Sequence, residues 1–347
     1  MTVCAAAICK ATVQSGKIEN VLLAISDRMI TSGDIEYETN QSKIYGFSLR
    51  PEEPTKIVAL GAGDASSHDV IVKETHERMI RDGITKVGEV AQLYAESFAK
   101  LRRYQAEKSH LSFLNLDIDS FINRQQEMDP SQVHEISDRL RSQQLGVHTI
   151  IAGVDSEAHI YSIGGCDEFT YEEFCHEVSH DKTGFCAVGL GARQFETQYM
   201  FSRYDNFWPL ASSVFLMYLA KKRSEVAPGV GPSTDMVYID SSRSEAFLKS
   251  TIDLLEQYRV DFERVGFENW TRIVKKVELE SGLIKTIQKH ETQANGKPGP
   301  VDQKGVPSSP QEGKPETPPK EAGEIKPTPP SEPPAPEPPS EPGQGSA

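Results

Sequence analysis

Directly behind Met1 the chain reads Thr2-Val3-Cys4-Ala5-Ala6-Ala7-Ile8-Cys9, seven apolar residues in a row after one threonine. Terminal residues with few contacts do not stay ordered. An apolar run of strand length at this place therefore predicts a buried first strand that holds residue 2 in a fixed position. A second run of the same kind, "ENVLLAISD" at 19–27, lies beyond a Ser-Gly turn signal, so the two read as a hairpin of buried strands.

The rest of the chain keeps a rhythm. Strands are expected at 43–47 and 56–62, followed by a helix from Asp64 to Gly83 with an N-cap and a C-cap residue in place. A second amphipathic helix starts near Val87, and the polar stretch 108–143 reads as an insertion with one or two surface helices. A strand hairpin at 147–164 and a strand over "GFCAVGLGA" come next. Two helices (about 192–204 and 209–223), the strand "MVYID", and two more helices (about 243–264 and 267–289) complete the body. Strand pairs alternating with helix pairs predict an α+β fold: two antiparallel sheets with helices on both outer faces, a four-layer αββα sandwich.

Composition limits the function classes. The net charge is −14, which argues against nucleic acid and anionic membrane surfaces as partners. The longest internal apolar run, "WPLASSVFLMYLA", suits a core helix and is too short for a bilayer. Five cysteines (4, 9, 166, 175 and 186) show no zinc-ribbon spacing and fit free thiols in a cytoplasmic, reducing compartment. From Gln293 onward the chain has no Phe, Tyr or Trp and carries 16 of the 22 prolines. Such a segment cannot bury enough apolar surface to fold, and it predicts a disordered, proline-rich tail. The expected organisation is a sandwich domain over 1–241, a helical extension over 242–292 and the tail over 293–347.

Three places carry chemistry. Thr2, if freed of Met1, would join a hydroxyl nucleophile and an α-amine of pKa about 7.7–8 on one residue, so nucleophile and base come together. Asp27 and Lys43, sixteen residues apart, end one predicted strand and open the next; a lysine held there favours a deprotonated nucleophile beside it. "LGAGD", Leu60 to Asp64, runs a strand through glycines into a helix start and so offers N–H groups to an anion.

Taken in order, "MT…", "LLAISDRMITSG", "SKIY", "LGAGDASSHD", "IAGVDSEAHIYSI" and "AVGLGA" resemble the β-type subunits of the 20S proteasome and their bacterial relatives, which are N-terminal-nucleophile hydrolases. The resemblance covers about residues 2–240. It implies a threonine peptidase without a cofactor. Thr2 would be the nucleophile, Asp27 and Lys43 its polar partners, and Gly63 N–H the oxyanion donor. Thr31 and Gly33 would pair with substrate backbone. Gly61 would leave the specificity pocket open and Asp69 would sit at its floor, which implies a preference for basic residues. The resemblance also implies peptide or unfolded-protein substrates, a homo-oligomer of ring type and an ATP-dependent unfoldase. The chain departs from the family at Leu190, Glu225 and Pro228, where side chains that orient the threonine amine are expected.

Other readings stay open at this level. A structural or adaptor subunit is one; a non-peptidic amide hydrolase of the same fold is another. "HEVSH" at 176–180 matches the H-E-x-x-H zinc pattern, with His176 and His180 as ligands and Glu177 as base if the segment is helical; Cys175 is adjacent.

Overall fold

In the computed structural model, residues 2–13, 16–32, 35–50, 52, 55–165 and 173–281 are described. The chain divides into two units, Met1–Val277 and Glu278–Ala347; the following concerns the first. The proline-rich tail lies outside the described residues.

The N-terminal run forms β1 (Cys4–Thr12), hairpinned to β2 (Ile18–Ser26) with Cys4 opposite Ser26. Successive side chains of a strand point to opposite faces. Val3, Ala5, Ala7 and Cys9 therefore face one apolar layer while Cys4, Ala6 and Ile8 face another. This double burial explains an unbroken apolar run with no alternation. A short hairpin follows: β3 (Met29–Ser32) and the exposed β4 (Ile35–Glu38). Next come β5 (Ile44–Phe47) and β6 (Ile57–Gly63), then helices α1 (Ala65–Asp82) and α2 (Val87–His110). Asp64 caps α1 by accepting from Ser67 N at 2.9 Å, and Gly83 ends it in the left-handed region at φ 65°.

The polar stretch after α2 holds α3 (Ile118–Arg124) and α4 (Pro130–Ser142), which bury Leu111, Phe121 and Ile136 in a small cluster of their own. The chain returns through β7 (Val147–Val154), β8 (Ala158–Ile163), β9 (Val178–Ser179) and β10 (Phe185–Val188). Helices α5 (Ala192–Phe201) and α6 (Leu210–Ser224), strands β11 (Asp235–Ile239) and β12 (Ser244–Ala246), and helix α7 (Lys249–Ser281) complete it.

One sheet has the order β10-β1-β2-β11-β12 and the other β5-β6-β7-β8-β9, both antiparallel. Leu22, Leu60, Ile150 and Ile160 meet between them. The outer face of the first sheet packs on α5 and α6, that of the second on α1 and α2. The observed order is thus helices, sheet, sheet, helices. No helix among the described residues is long and apolar enough to cross a membrane.

Two expectations change. The C-terminal region forms one helix, α7, where two were expected. Gly266 does not break it: a Cβ there would meet nothing, and one exposed glycine costs a helix only about 1 kcal/mol. The zinc reading requires His176 and His180 one helical turn apart, but Val178–Ser179 between them is extended strand. Among the described residues no group of three or more His, Cys, Asp or Glu could hold a metal ion.

Candidate active site

The start of β1 and the end of β2 lie side by side, and Asp27 N donates to Val3 O at 3.2 Å. That pairing carries Asp27 next to Thr2. Both are buried, Thr2 at 2% and Asp27 at 0% exposure. Thr2 Oγ1 donates to Asp27 Oδ1 in a short hydrogen bond. The same carboxylate accepts from Val3 N at 3.2 Å, Met29 N at 3.2 Å and Gly231 N at 2.9 Å. Backbone donors on both oxygens fix its orientation.

Lys43 enters from the other sheet, one residue ahead of β5. Its Nζ donates to Thr2 Oγ1 at 2.5 Å, to Asp27 Oδ1 at 2.9 Å and to Met29 O in a short bond. An ammonium has three protons, and all three are used. The threonine oxygen therefore donates to a carboxylate while accepting from a cation, which prepares it for losing its proton.

The backbone around Thr2 is held as well. Gly191 N donates to Thr2 O at 3.2 Å. Gly189, at φ 92°, lies so close to that carbonyl that a Cβ there would collide with it. The "VGLGA" glycines therefore seat the first residue of the strand, and Leu190 between them is 53% exposed.

Gly63 ends β6 immediately before the N-cap of α1, where helix N–H groups and dipole favour negative charge. Its φ is 104°, and a Cβ there would collide with Gly146 O. That neighbour is itself anchored: Glu173 accepts from Leu145 N at 2.9 Å and Gly146 N at 3.1 Å, and Gly146 O accepts from Asp64 N at 2.9 Å. The β6 end faces the start of β1, since Cys4 Sγ donates to Gly61 O at 3.4 Å. Burial pushes that thiol up to about 12, so the cysteine nearest Thr2 stays protonated.

Gly61 pairs with Thr149, and the register of Ile44 with Leu60 brings Lys43 alongside it. The space beside Gly61 is filled by the His68 ring, which a Cβ would approach to 2.5 Å. His68 Nδ1 shares hydrogen bonds with Tyr94 OH at 2.9 Å and Thr149 Oγ1 at 3.3 Å, and burial pushes the imidazole down to about 4. Asp69, the next residue, lies on the solvent side of α1, 59% exposed and paired with Lys73. Thr31 sits on β3 with Oγ1 buried and unpartnered among the described residues. Gly33 lies outside the described residues.

The structure thus brings Thr2, Asp27 and Lys43 together. Sequence reasoning did not find Gly189, Gly191 and Gly231 in their contact roles, nor His68 beside Gly61. The paired glycines of "VGLGA" are a readable signal; a loop N–H such as that of Gly231 leaves none.

No family model matches the chain, and no curated protein matches it. Among solved structures, it is similar to the Anbu (Gly-1) mutant from Hyphomicrobium sp. strain MC1, at TM-score 0.50 and 14% identity over 78% of this chain and 100% of that one. It is also similar to Anbu (ancestral beta-subunit) from Yersinia bercovieri, at TM-score 0.53 and 12% identity over 78% of this chain and 97% of that one. These structures correct the resemblance to β-type subunits of the 20S proteasome, because the neighbours are Anbu proteins, distinct from those subunits. At this identity the likeness shows the fold alone.

Proposed function

We propose that the chain is an N-terminal-nucleophile hydrolase that cleaves peptide bonds with Thr2 as its nucleophile. The observation that carries this is the convergence of two side chains from two sheets on one hydroxyl: Lys43 Nζ is 2.5 Å from Thr2 Oγ1, and Asp27 holds both. The helix–sheet–sheet–helix order supports assigning the Ntn-hydrolase fold. In the reaction, the Thr2 α-amine takes the hydroxyl proton as Oγ1 attacks the peptide carbonyl. Gly63 N–H, at the N-terminal end of α1, stabilises the oxyanion. The amine then protonates the leaving group, and water hydrolyses the Thr2 ester. This reading requires a free α-amine on Thr2, so whatever precedes it must be removed.

Thr31 and Gly33 pair with substrate backbone in this reading, and the unpartnered Thr31 hydroxyl supports a ligand there. The description of one neighbour as an ancestral beta-subunit supports assembly with further copies of the chain.

A catalytically inert structural subunit is the second reading. It rests on Leu190, whose exposed aliphatic side chain gives the amine no hydrogen bond. One experiment separates the two: intact mass spectrometry with and without an epoxyketone, which traps an amine and a hydroxyl on one threonine. Loss of residue 1 and a single adduct on Thr2, absent in Thr2→Ala, is expected. A free Thr2 that never reacts would establish the inert subunit.

A further inference from the structure

Helix α6 carries a lysine where an apolar residue is expected. Lys221 is 0% exposed. Burying an ammonium is costly unless every proton finds a partner, and here every proton does. Nζ donates to Glu225 Oε1 at 2.6 Å, to Gly231 O at 2.7 Å and to Pro232 O at 2.9 Å.

Two of those partners are successive backbone carbonyls, and the first belongs to the residue whose N–H caps Asp27 Oδ2 at 2.9 Å. We propose that Lys221 is a positioning residue for the nucleophile: it fixes the Gly231–Pro232 peptide so that Gly231 N–H holds the Asp27 carboxylate against Thr2. This inference rests on the reading of Thr2 given above.

The next peptide, Pro232–Ser233, is gripped from the opposite side. Glu38 of β4 accepts from Ser233 N at 2.9 Å and Ser233 Oγ at 2.6 Å. A Cβ on Gly231 would lie 2.6 Å from Glu38 Oε1 and 3.0 Å from Met29 Cβ, so glycine lets the segment pack closely against Glu38 and Met29. The charged groups around the lysine are Lys222 on α6, Glu225 at its C-terminal cap, Asp27 just after β2 and Glu38 on β4. Lys43 stands beyond Asp27. At Glu225, where sequence comparison places an amine-orienting acid, the carboxylate is instead occupied with Lys221 and Lys222. Orientation of the site thus passes through a lysine and a backbone amide.

The test compares the full-length parent with Lys221→Met, which fills the same space without charge. Hydrogen exchange followed by mass spectrometry reads the amides of residues 229–233. Thr2 modification by an epoxyketone is read as a maximal rate and a half-saturating concentration. The expected result is slow exchange of this segment in the parent and at least tenfold faster exchange in Lys221→Met. Thr2 modification should lose about tenfold in its maximal rate with the half-saturating concentration unchanged, because the carboxylate that holds the Thr2 hydroxyl is no longer fixed. A purely structural lysine would leave the maximal rate in place. Should Lys221→Met not fold, Lys221→Gln is read the same way. Fast exchange in the parent, or unchanged exchange in the variant, overturns the proposal whether or not Thr2 reacts. Loosened amides with an unchanged maximal rate also overturn it. A parent whose Thr2 is unreactive overturns the hydrolase reading instead, while the exchange arm still judges the grip on the loop.

Discussion

The two sheets are built alike and roofed differently. Over the first, α5 and α6 enclose a run of packed rings: Phe195 stacks on Tyr199 at 4.8 Å, and tilted contacts join Phe185 to Tyr199 at 4.9 Å, Tyr199 to Tyr204 at 4.7 Å and Tyr204 to Trp208 at 5.4 Å. Over the second, α1 and α2 bring aliphatic residues such as Ile71, Val72, Val90 and Leu93, interrupted by a knot of polar groups, His68, Tyr94 and Thr149. The aromatic roof lies over the strand that starts from Thr2 and gives it a dense backing. The polar knot lies over Gly61, beside the strand that starts from Lys43. The lesson is that the nucleophile is carried by the rigid, apolar half, and the half that supplies Lys43 also keeps a buried polar cluster near the site.

The strongest test of this division removes the link between the halves. Lys43 is the side chain by which the second sheet reaches Thr2 and Asp27. Lys43→Ala is expected to lower Thr2 acylation roughly 10²–10⁴-fold, the range for a positioned acid–base group. The readout is the rate of adduct formation by intact mass. The fold should survive, since the layer between the sheets is untouched. A variant that reacts at the parental rate would mean that the first sheet works alone.

Acid should separate the halves next. Burial holds His68 at about 4, and His148 likewise at about 4. Both belong to the second sheet or its roof. An unfolded histidine titrates near 6.5, so the unfolded chain takes up protons that the folded one refuses. Stability is therefore whole above pH 6.5 and falls as pH drops toward 4, by at most roughly 3 kcal/mol for each group. Urea midpoints measured from pH 7 to pH 4 check this. In His68→Gln the fall should shrink by about half, and a fall of parental size would remove His68 from the account.

Matched tyrosines sharpen the contrast. Tyr94 OH is bonded to Thr149 Oγ1 at 2.8 Å and to His68, whereas Tyr199 OH is buried with no partner among the described residues. Deleting a satisfied hydroxyl costs about 1 kcal/mol; deleting an unsatisfied one is neutral or stabilising. Tyr94→Phe should lower the unfolding free energy by about that amount and Tyr199→Phe should not. Equal effects would erase the distinction between the roofs.

Much of this was legible in the sequence because it is written at element ends. The first hairpin, the Asp64 cap and the Gly83 stop follow from residue type and spacing. Thr2, Asp27 and Lys43 stand at the ends of strands that the apolar runs mark out. The β3–β4 hairpin was not readable, since its four-residue strands are short, and β4 is exposed and shows no alternation. Lys221 was not readable either. A lysine in the last turn of a helix ordinarily faces solvent and favours the helix dipole, and only the fold reveals the carbonyls that it meets. The role of Gly231 belongs to its backbone N–H, which every residue except proline possesses.

His68 and Asp69 show how fine the limit is, and they give the smallest expected effect. Adjacent residues on a helix point about 100° apart. Sequence resemblance assigns Asp69 to a pocket floor, yet it is His68 whose ring meets the sheet beside Gly61, while Asp69 pairs with Lys73 in solvent. Water screens exposed pairs of this kind, so they contribute little. Asp69→Ala should therefore change the unfolding midpoint very little, and it should alter cleavage of arginine and leucine reporters by the same small factor. A selective loss on arginine reporters would return the acid to the pocket. It would mean that Lys73 yields the carboxylate to an incoming guanidinium, so that substrate recognition begins by breaking this surface pair.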